Sequence, residues 1–201
     1  MKKIFVLLLA IACAFTMFSC GDDNNELKAF TTAIAATNPA EIEVETSFKT
    51  DFATLEAYSL TTISETGAKI DYWYDEFNTT AAGEDAPLLK RVTGSVTRDA
   101  EGKYSDNGAY AEANGLSTGA KLNLDAKKLT YTVTPDGNNL SATVLAADTE
   151  AVLGVAIASD VSIVLTKNAE TVISLTVTYT TSITVGGVAK EAEVEIVCNY
   201  R

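Results

Sequence analysis

Glu41-Ile42-Glu43-Val44-Glu45-Thr46-Ser47-Phe48-Lys49 decides the fold class. Ile42, Val44, Thr46 and Phe48 alternate with Glu41, Glu43, Glu45, Ser47 and Lys49. Successive side chains of an extended chain point to opposite faces, so this stretch is a strand with one face in a core and the other in water. That pattern belongs to antiparallel sheets. Strands of a parallel sheet are covered on both faces and read as continuous apolar runs between long amphipathic helices.

The same period of two recurs in Ile70-Asp71-Tyr72-Trp73-Tyr74, in Leu129 to Val133, in Ile173 to Tyr179 and in Ala192 to Tyr200. Threonine is dense in Thr130-Tyr131-Thr132-Val133-Thr134 and in Thr176 to Thr181, as branched side chains favour a pleated, half-solvated surface. Between strand-like runs lie Asp99 to Gly102, Asp125 to Lys128, Pro135-Asp136-Gly137-Asn138, Lys167 to Glu170 and Gly186-Gly187. Gly, Asn and Asp accept the dihedral angles of tight turns, so neighbouring strands are expected to pair as hairpins.

Two segments leave the period of two. Leu27, Phe30, Ala33 and Ile34 fall at helical spacing, with Asn25 as cap, Glu26 in the first turn and Asn38-Pro39 as stop. Thr149 to Ala158 reads either as a second helix, capped by Asp148 with Val152, Val155 and Ala156 on one stripe, or as a strand. The wet faces of the first and last long strands carry Glu41, Glu43, Glu45 and Glu191, Glu193, Glu195. Paired to close a barrel, such stripes set like charges against each other, so the expectation is an open sheet with these strands at its edges. A β-sandwich and a closed calycin-like barrel are the alternatives.

Upstream of the sheet, Lys2 and Lys3 precede an apolar run from Ile4 to Phe18. It is too short to span roughly 30 Å of hydrocarbon as a lasting helix and reads as an export signal. Met17-Phe18-Ser19-Cys20 at its end resembles the lipobox of bacterial lipoproteins, with a small residue before the cysteine, although Phe18 and Met17 depart from the usual pattern. The resemblance implies removal of residues 1–19, diacylglycerol on Cys20 and a lipid anchor. Asp22 and Asp23, with Glu26 nearby, resemble the acidic surface-export tether of lipoproteins from the Bacteroidetes group, which implies an outer-membrane protein facing outward. A plain solvated linker at 20–26, with the protein on the periplasmic face, is the other reading.

Cleavage removes two lysines and no acids, leaving 13 basic and 27 acidic residues and a net charge of −14. Nucleic acid is excluded as a partner, because phosphate backbones require clustered Lys and Arg, and anionic lipid surfaces repel the domain. With 47% hydrophobic residues overall, 27–201 is expected to form one domain with its own core. Cys198 shares the apolar alternation of Ala192, Val194, Ile196 and Tyr200, so it is expected to be a buried, inert thiol.

The chain has no histidine, which removes the commonest general base, the Ser-His-acid triad and most transition-metal sites. Gly83, Gly94, Gly102 and Gly108 are scattered, and no phosphate loop or dinucleotide turn is formed, so no cofactor is expected. Asp71, Asp75, Glu76, Glu84 and Asp85 beside Tyr72-Trp73-Tyr74 compose a glycosidase-like set, and Asp99 to Glu101 with Asp106-Asn107 could supply oxygen ligands to calcium. Wet hairpin ends and solvated turns explain the same residues and are the preferred reading of both sets. The best candidate contact surface is Tyr72, Trp73 and Tyr74: a strand turns Tyr72 and Tyr74 one way with Ile70, and Trp73 the other way with Asp71 and Asp75.

A helix leading into a many-stranded antiparallel sheet, from Leu27 to Tyr200, resembles the half-barrel of bacterial lipoprotein carriers and mycobacterial lipid-binding lipoproteins. In that family a curved open sheet wraps an apolar concavity. The resemblance implies a non-enzymatic envelope protein that binds a lipid or acyl chain, with a surface adhesin or glycan-binding module built on a β-sandwich as the alternative.

Overall fold

The computed structural model describes residues 25–77, 89–101, 103–105, 122–185 and 188–201. The described residues build a helix α1 (Asn25–Ala36) and strands β1 (Glu41–Lys49), β2 (Thr54–Ser64), β3 (Gly67–Phe77) and β4 (Leu89–Asp99). Strands β5 (Leu129–Val133) and β6 (Asn139–Val144) follow, then a helix α2 (Thr149–Leu153), then β7 (Val161–Lys167), β8 (Val172–Val185) and β9 (Val188–Tyr200). All nine strands join one antiparallel sheet in the order β4-β3-β2-β1-β9-β8-β7-β6-β5. The pairing is antiparallel, as the alternation predicts, and the sheet is open, neither a sandwich nor a closed barrel. The five segments singled out by alternation lie in β1, β3, β5, β8 and β9.

The placement of the glutamate-striped strands corrects an expectation. β1 and β9 are not edges but partners at the centre of the sheet, and the edges are β4 and β5. Like charges are kept apart by register: Glu193 lies opposite Lys49, Glu195 opposite Ser47, Glu45 opposite Val197 and Glu43 opposite Asn199. On its other side β9 sets Glu191, Glu193 and Glu195 against Ser182, Thr180 and Thr178. The repulsion that argued against pairing is therefore absent from every directly opposed pair.

Side chains on the apolar face line up in rows across the sheet. One row runs Val92, Tyr74, Ala57, Thr46, Ile196, Val177, Ile163, Ala142, Tyr131, and the next runs Gly94, Tyr72, Ser59, Val44, Cys198, Leu175, Leu165, Leu140, Val133. From β9 to β6 these rows are sealed, with Ile196, Val177, Ile163, Cys198, Leu175, Leu165 and Leu140 all at 0% exposure. Each fully buried large side chain contributes about 1.5–3 kcal/mol. Burial also pushes the Tyr179 hydroxyl up to about 12.

Part of the cover is α1, which contacts β7 and β8 and buries Leu27, Phe30, Ala33 and Ile34, the four residues whose spacing predicts it. The helix opens at Asn25, two residues inside the stretch read as tether. Thr37 fastens its other end: the hydroxyl donates to Ala33 O at 2.7 Å and accepts from Val172 N at 2.9 Å. β8 differs from the simple alternation at this point. A register shift between Thr166 and Lys167 turns Val172 into the core at 1% exposure and leaves Ile173 out at 41%.

The second helix is shorter than Thr149 to Ala158. Gly154 takes φ +73°, a left-handed conformation that glycine adopts without Cβ strain, and its N–H closes on Glu150 O. Asp148 makes no side-chain cap, and Ala156 is exposed while Ile157 is buried. Thr149, fully buried, organises this turn by donating to Ala146 O at 3.0 Å and accepting from Ile157 N at 2.8 Å. Cys198 is buried, as its place in the alternation predicts. Gly186-Gly187 lie outside the described residues; β8 and β9 pair up to Val185 opposite Val188.

Candidate functional site

The strand pleat separates the three aromatic residues of the candidate contact surface. Tyr72 and Tyr74 lie on the apolar face with ring centroids 6.4 Å apart and an interplanar angle of 10°. Trp73 lies on the polar face, with Asp71 and Asp75, as the alternation requires.

On the apolar face, Tyr72 leans over Gly94, its direct partner on β4. A Cβ at position 94 would sit 2.3 Å from the Tyr72 hydroxyl oxygen and 2.4 Å from Cζ, so the absence of a side chain there is what admits the ring. Both tyrosines are half-buried, and burial raises the hydroxyl pKa of Tyr74, with Glu76 adding to the shift. This end of the face differs in kind from the sealed end. Ala57 and Ser59 on β2 are small and buried, β3 places Tyr72 and Tyr74 in these rows, and Val92 and Gly94 on β4 are small and half-buried, while Ile70 and Val96 in the next row are buried.

On the polar face, Trp73 is held between neighbours from both adjacent strands. The Tyr58 ring stacks with it at 6.0 Å and 14°, and the Arg91 guanidinium carbon lies 3.7 Å from the Trp73 ring centroid. Arg91 is a fork on Asp75, Nε donating to Oδ1 at 2.8 Å and Nη2 to Oδ2 at 3.0 Å, and Nη2 also reaches Glu56 at 3.4 Å. Asp75 additionally accepts the Glu56 N–H at 3.3 Å, one residue beyond the last β2–β3 pair, Ala57 with Tyr74. On the far side of Tyr58, its hydroxyl donates to Glu43 Oε1 at 3.1 Å, and Glu43 Oε2 accepts from Arg201 at 2.5 Å. One chain of contacts thus crosses five strands, from the end of β9 to β4.

Electrostatics follow from these partners. The Arg91 fork holds Asp75 below the ordinary aspartate value against the opposing effect of its burial. Asp71 is likewise lowered, first by Lys69 at 2.7 Å and then by Ser95. Tyr58 is raised by burial and by its hydrogen bond to the Glu43 carboxylate. Asp75 is held as the carboxylate partner of Arg91, and Asp71 as that of Lys69. Glu84 and Asp85 of the glycosidase-like set lie outside the described residues.

In the calcium-like set, Asp99 Oδ1 accepts the Lys103 N–H at 2.7 Å, which closes a turn, and Asp106-Asn107 lie outside the described residues. Among the described residues no group of three or more His, Cys, Asp or Glu is placed to hold a metal ion. Cys20 also lies outside them, and no described helix is long and apolar enough to cross a membrane.

Tyr58, Arg91 and Arg201 are the members of the polar-face chain that alternation does not select, whereas Glu43 belongs to the wet-face glutamates of β1. Tyr58 and Arg91 were detectable only as polar-face positions of strands whose apolar faces are weak, Ala57-Ser59 and Val92-Gly94. No protein-family model matches this chain, and no curated protein matches it as a relative.

Proposed function

We propose that this chain is a non-enzymatic lipoprotein of the cell envelope, anchored by acyl chains on Cys20 in the outer membrane with its domain facing outward. Its sheet takes an apolar ligand, a lipid or acyl chain, against Tyr72 and Tyr74. The observation that carries the ligand reading is the division of the apolar face. Its β9–β6 part is sealed, while the β3–β4 part presents two half-buried parallel rings, that of Tyr72 over Gly94 and that of Tyr74 beside Val92. Flat aromatic surface bordered by small side chains suits an extended hydrocarbon, which gains by burial and asks for few directional contacts.

The anchor reading is supported by the lysine-led apolar run that ends at Ser19-Cys20. A domain of net charge −14 is repelled by anionic headgroups and stands off the membrane that holds it. A second reading, a glycan or protein contact on the polar face, draws on the half-exposed Trp73 ring. Tyr58 and Arg91 already stack on that ring, which leaves its edge rather than its faces for a sugar.

Growth of an expressing bacterium with labelled palmitate tests the anchor. Label is expected in the wild-type chain and absent from Cys20→Ser, which should leave the membrane fraction. Label of equal intensity in both proteins would overturn lipidation at Cys20.

A further inference from the structure

An open sheet ends on two edge strands, here β4 and β5, and the sequence treats the two edges differently. β4 carries Lys90, Arg91, Arg98 and Asp99, and the chain that follows folds back over its end: Asp99 N–H donates to Lys103 O at 3.0 Å and Ser105 N–H to Thr97 O at 2.8 Å. Charge and a covering loop are ordinary means of keeping a foreign strand away. β5, Leu129-Thr130-Tyr131-Thr132-Val133, contains no charge, proline, glycine or bulge, and among the described residues β6 is the only strand it pairs with. Lys128, just before it, is engaged by Asp148 at 3.3 Å.

The hairpin fixes which backbone groups of β5 face outward. Thr134 N–H donates to Asn139 O at 2.9 Å, and antiparallel ladders alternate, so Thr132 and Thr130 also turn their N–H and C=O toward β6. Leu129 and Val133 turn theirs to the open side. The side chains add a self-complementary pattern. Set antiparallel to a second copy of itself about Tyr131, β5 brings Leu129 opposite the partner's Val133 on the apolar face and Thr130 opposite the partner's Thr132 on the polar face. Threonine pairs are favourable cross-strand contacts, and a slip of one residue would set threonine against the apolar side chains, so the pattern selects a single register.

We infer that β5 is a self-association edge, on which two copies of this chain pair β5 with β5 about a two-fold axis and run their sheets into one. The contact is one short strand, smaller than the roughly 800 Å² per partner of a stable complex, so the dimer is reversible and dissociates on dilution. The inference is independent of the apolar-ligand reading.

The test is a dilution series of the full chain in detergent micelles, read by native mass spectrometry after gas-phase removal of detergent. A dimer is expected at the concentrated end. Thr130 and Thr132 are exposed, so both can be replaced without disturbing the core. Thr130→Lys combined with Thr132→Lys opposes lysine with lysine at both symmetric pairs and should weaken the dimer about tenfold. Thr130→Lys combined with Thr132→Glu opposes lysine with glutamate at the same positions and should dimerise as the wild type does. A wild type that is monomeric throughout the series overturns the inference. So does a double-lysine variant that dimerises like the wild type, or a lysine–glutamate variant as weak as the double-lysine one.

Discussion

Asp75 is an acid on the wet face that the fold nevertheless buries, at 8% exposure. It is tolerated because its oxygens are filled by the Arg91 fork and the Glu56 N–H. Asp75→Ala removes the partner of both donors and lets Trp73 lose the cation laid over it; the expected cost is about 1–3 kcal/mol by urea denaturation. The pH dependence has a definite sign. Because Asp75 is lowered from 3.8 in the folded chain, its contribution is complete above that value and is lost as pH falls through the lower folded value. Acid unfolding curves of wild type and Asp75→Asn should therefore converge as pH drops below about 4, and a constant gap between them would contradict the assignment. At this scale the sequence places Trp73 and Asp75 on one face through the pleat alone. It does not reveal Arg91 or Tyr58 as their partners, because which residues meet across strands depends on register, and register is absent from any single strand's pattern.

Among the elements, α1 was the most legible, since a 3.6-residue period within a chain of period two has no other explanation. Its four predicted core residues are the four it buries. Phe30, at 1% exposure, is the largest of these, and Phe30→Ala is expected to cost about 3–5 kcal/mol in equilibrium unfolding. A loss below about 1 kcal/mol would mean that α1 is dispensable to the core. Four strands escaped the alternation reading for different reasons. β2 and β4 pair small or polar residues with the apolar face, as in Ala57-Ser59 and Val92-Gly94, so the contrast between faces is weak. β7 carries Val164 between Ile163 and Leu165, which blurs the period, and β6 has the small Ala142 as the middle residue of its buried face. α2 was over-extended because Val155 and Ala156 continue the stripe past Gly154, whose left-handed turn stops the helix.

For the whole molecule, the decisive contact joins the two ends of the domain. β1 to β4 form one run of hairpins and β5 to β9 another, and only the pairing of β1 with β9 makes them a single sheet. The glutamate stripes had pointed to separation of these strands, yet an offset that places Lys49, Ser47, Val197 and Asn199 opposite the acids removes the objection. Such long-range pairing closes late and favours slow folding. The openness of the sheet also gives the apolar face two regimes, sealed at β9–β6 and aromatic at β3–β4, and the proposed function depends on that difference. Its most direct test is native mass spectrometry of the full chain extracted from envelopes, compared with a denaturing spectrum that reports only covalent acylation. The expected result is additional mass from a non-covalently held lipid, reduced when Tyr72 and Tyr74 are both replaced by alanine. Identical native and denatured masses, with no lipid beyond the acyl chains of the anchor, would contradict it.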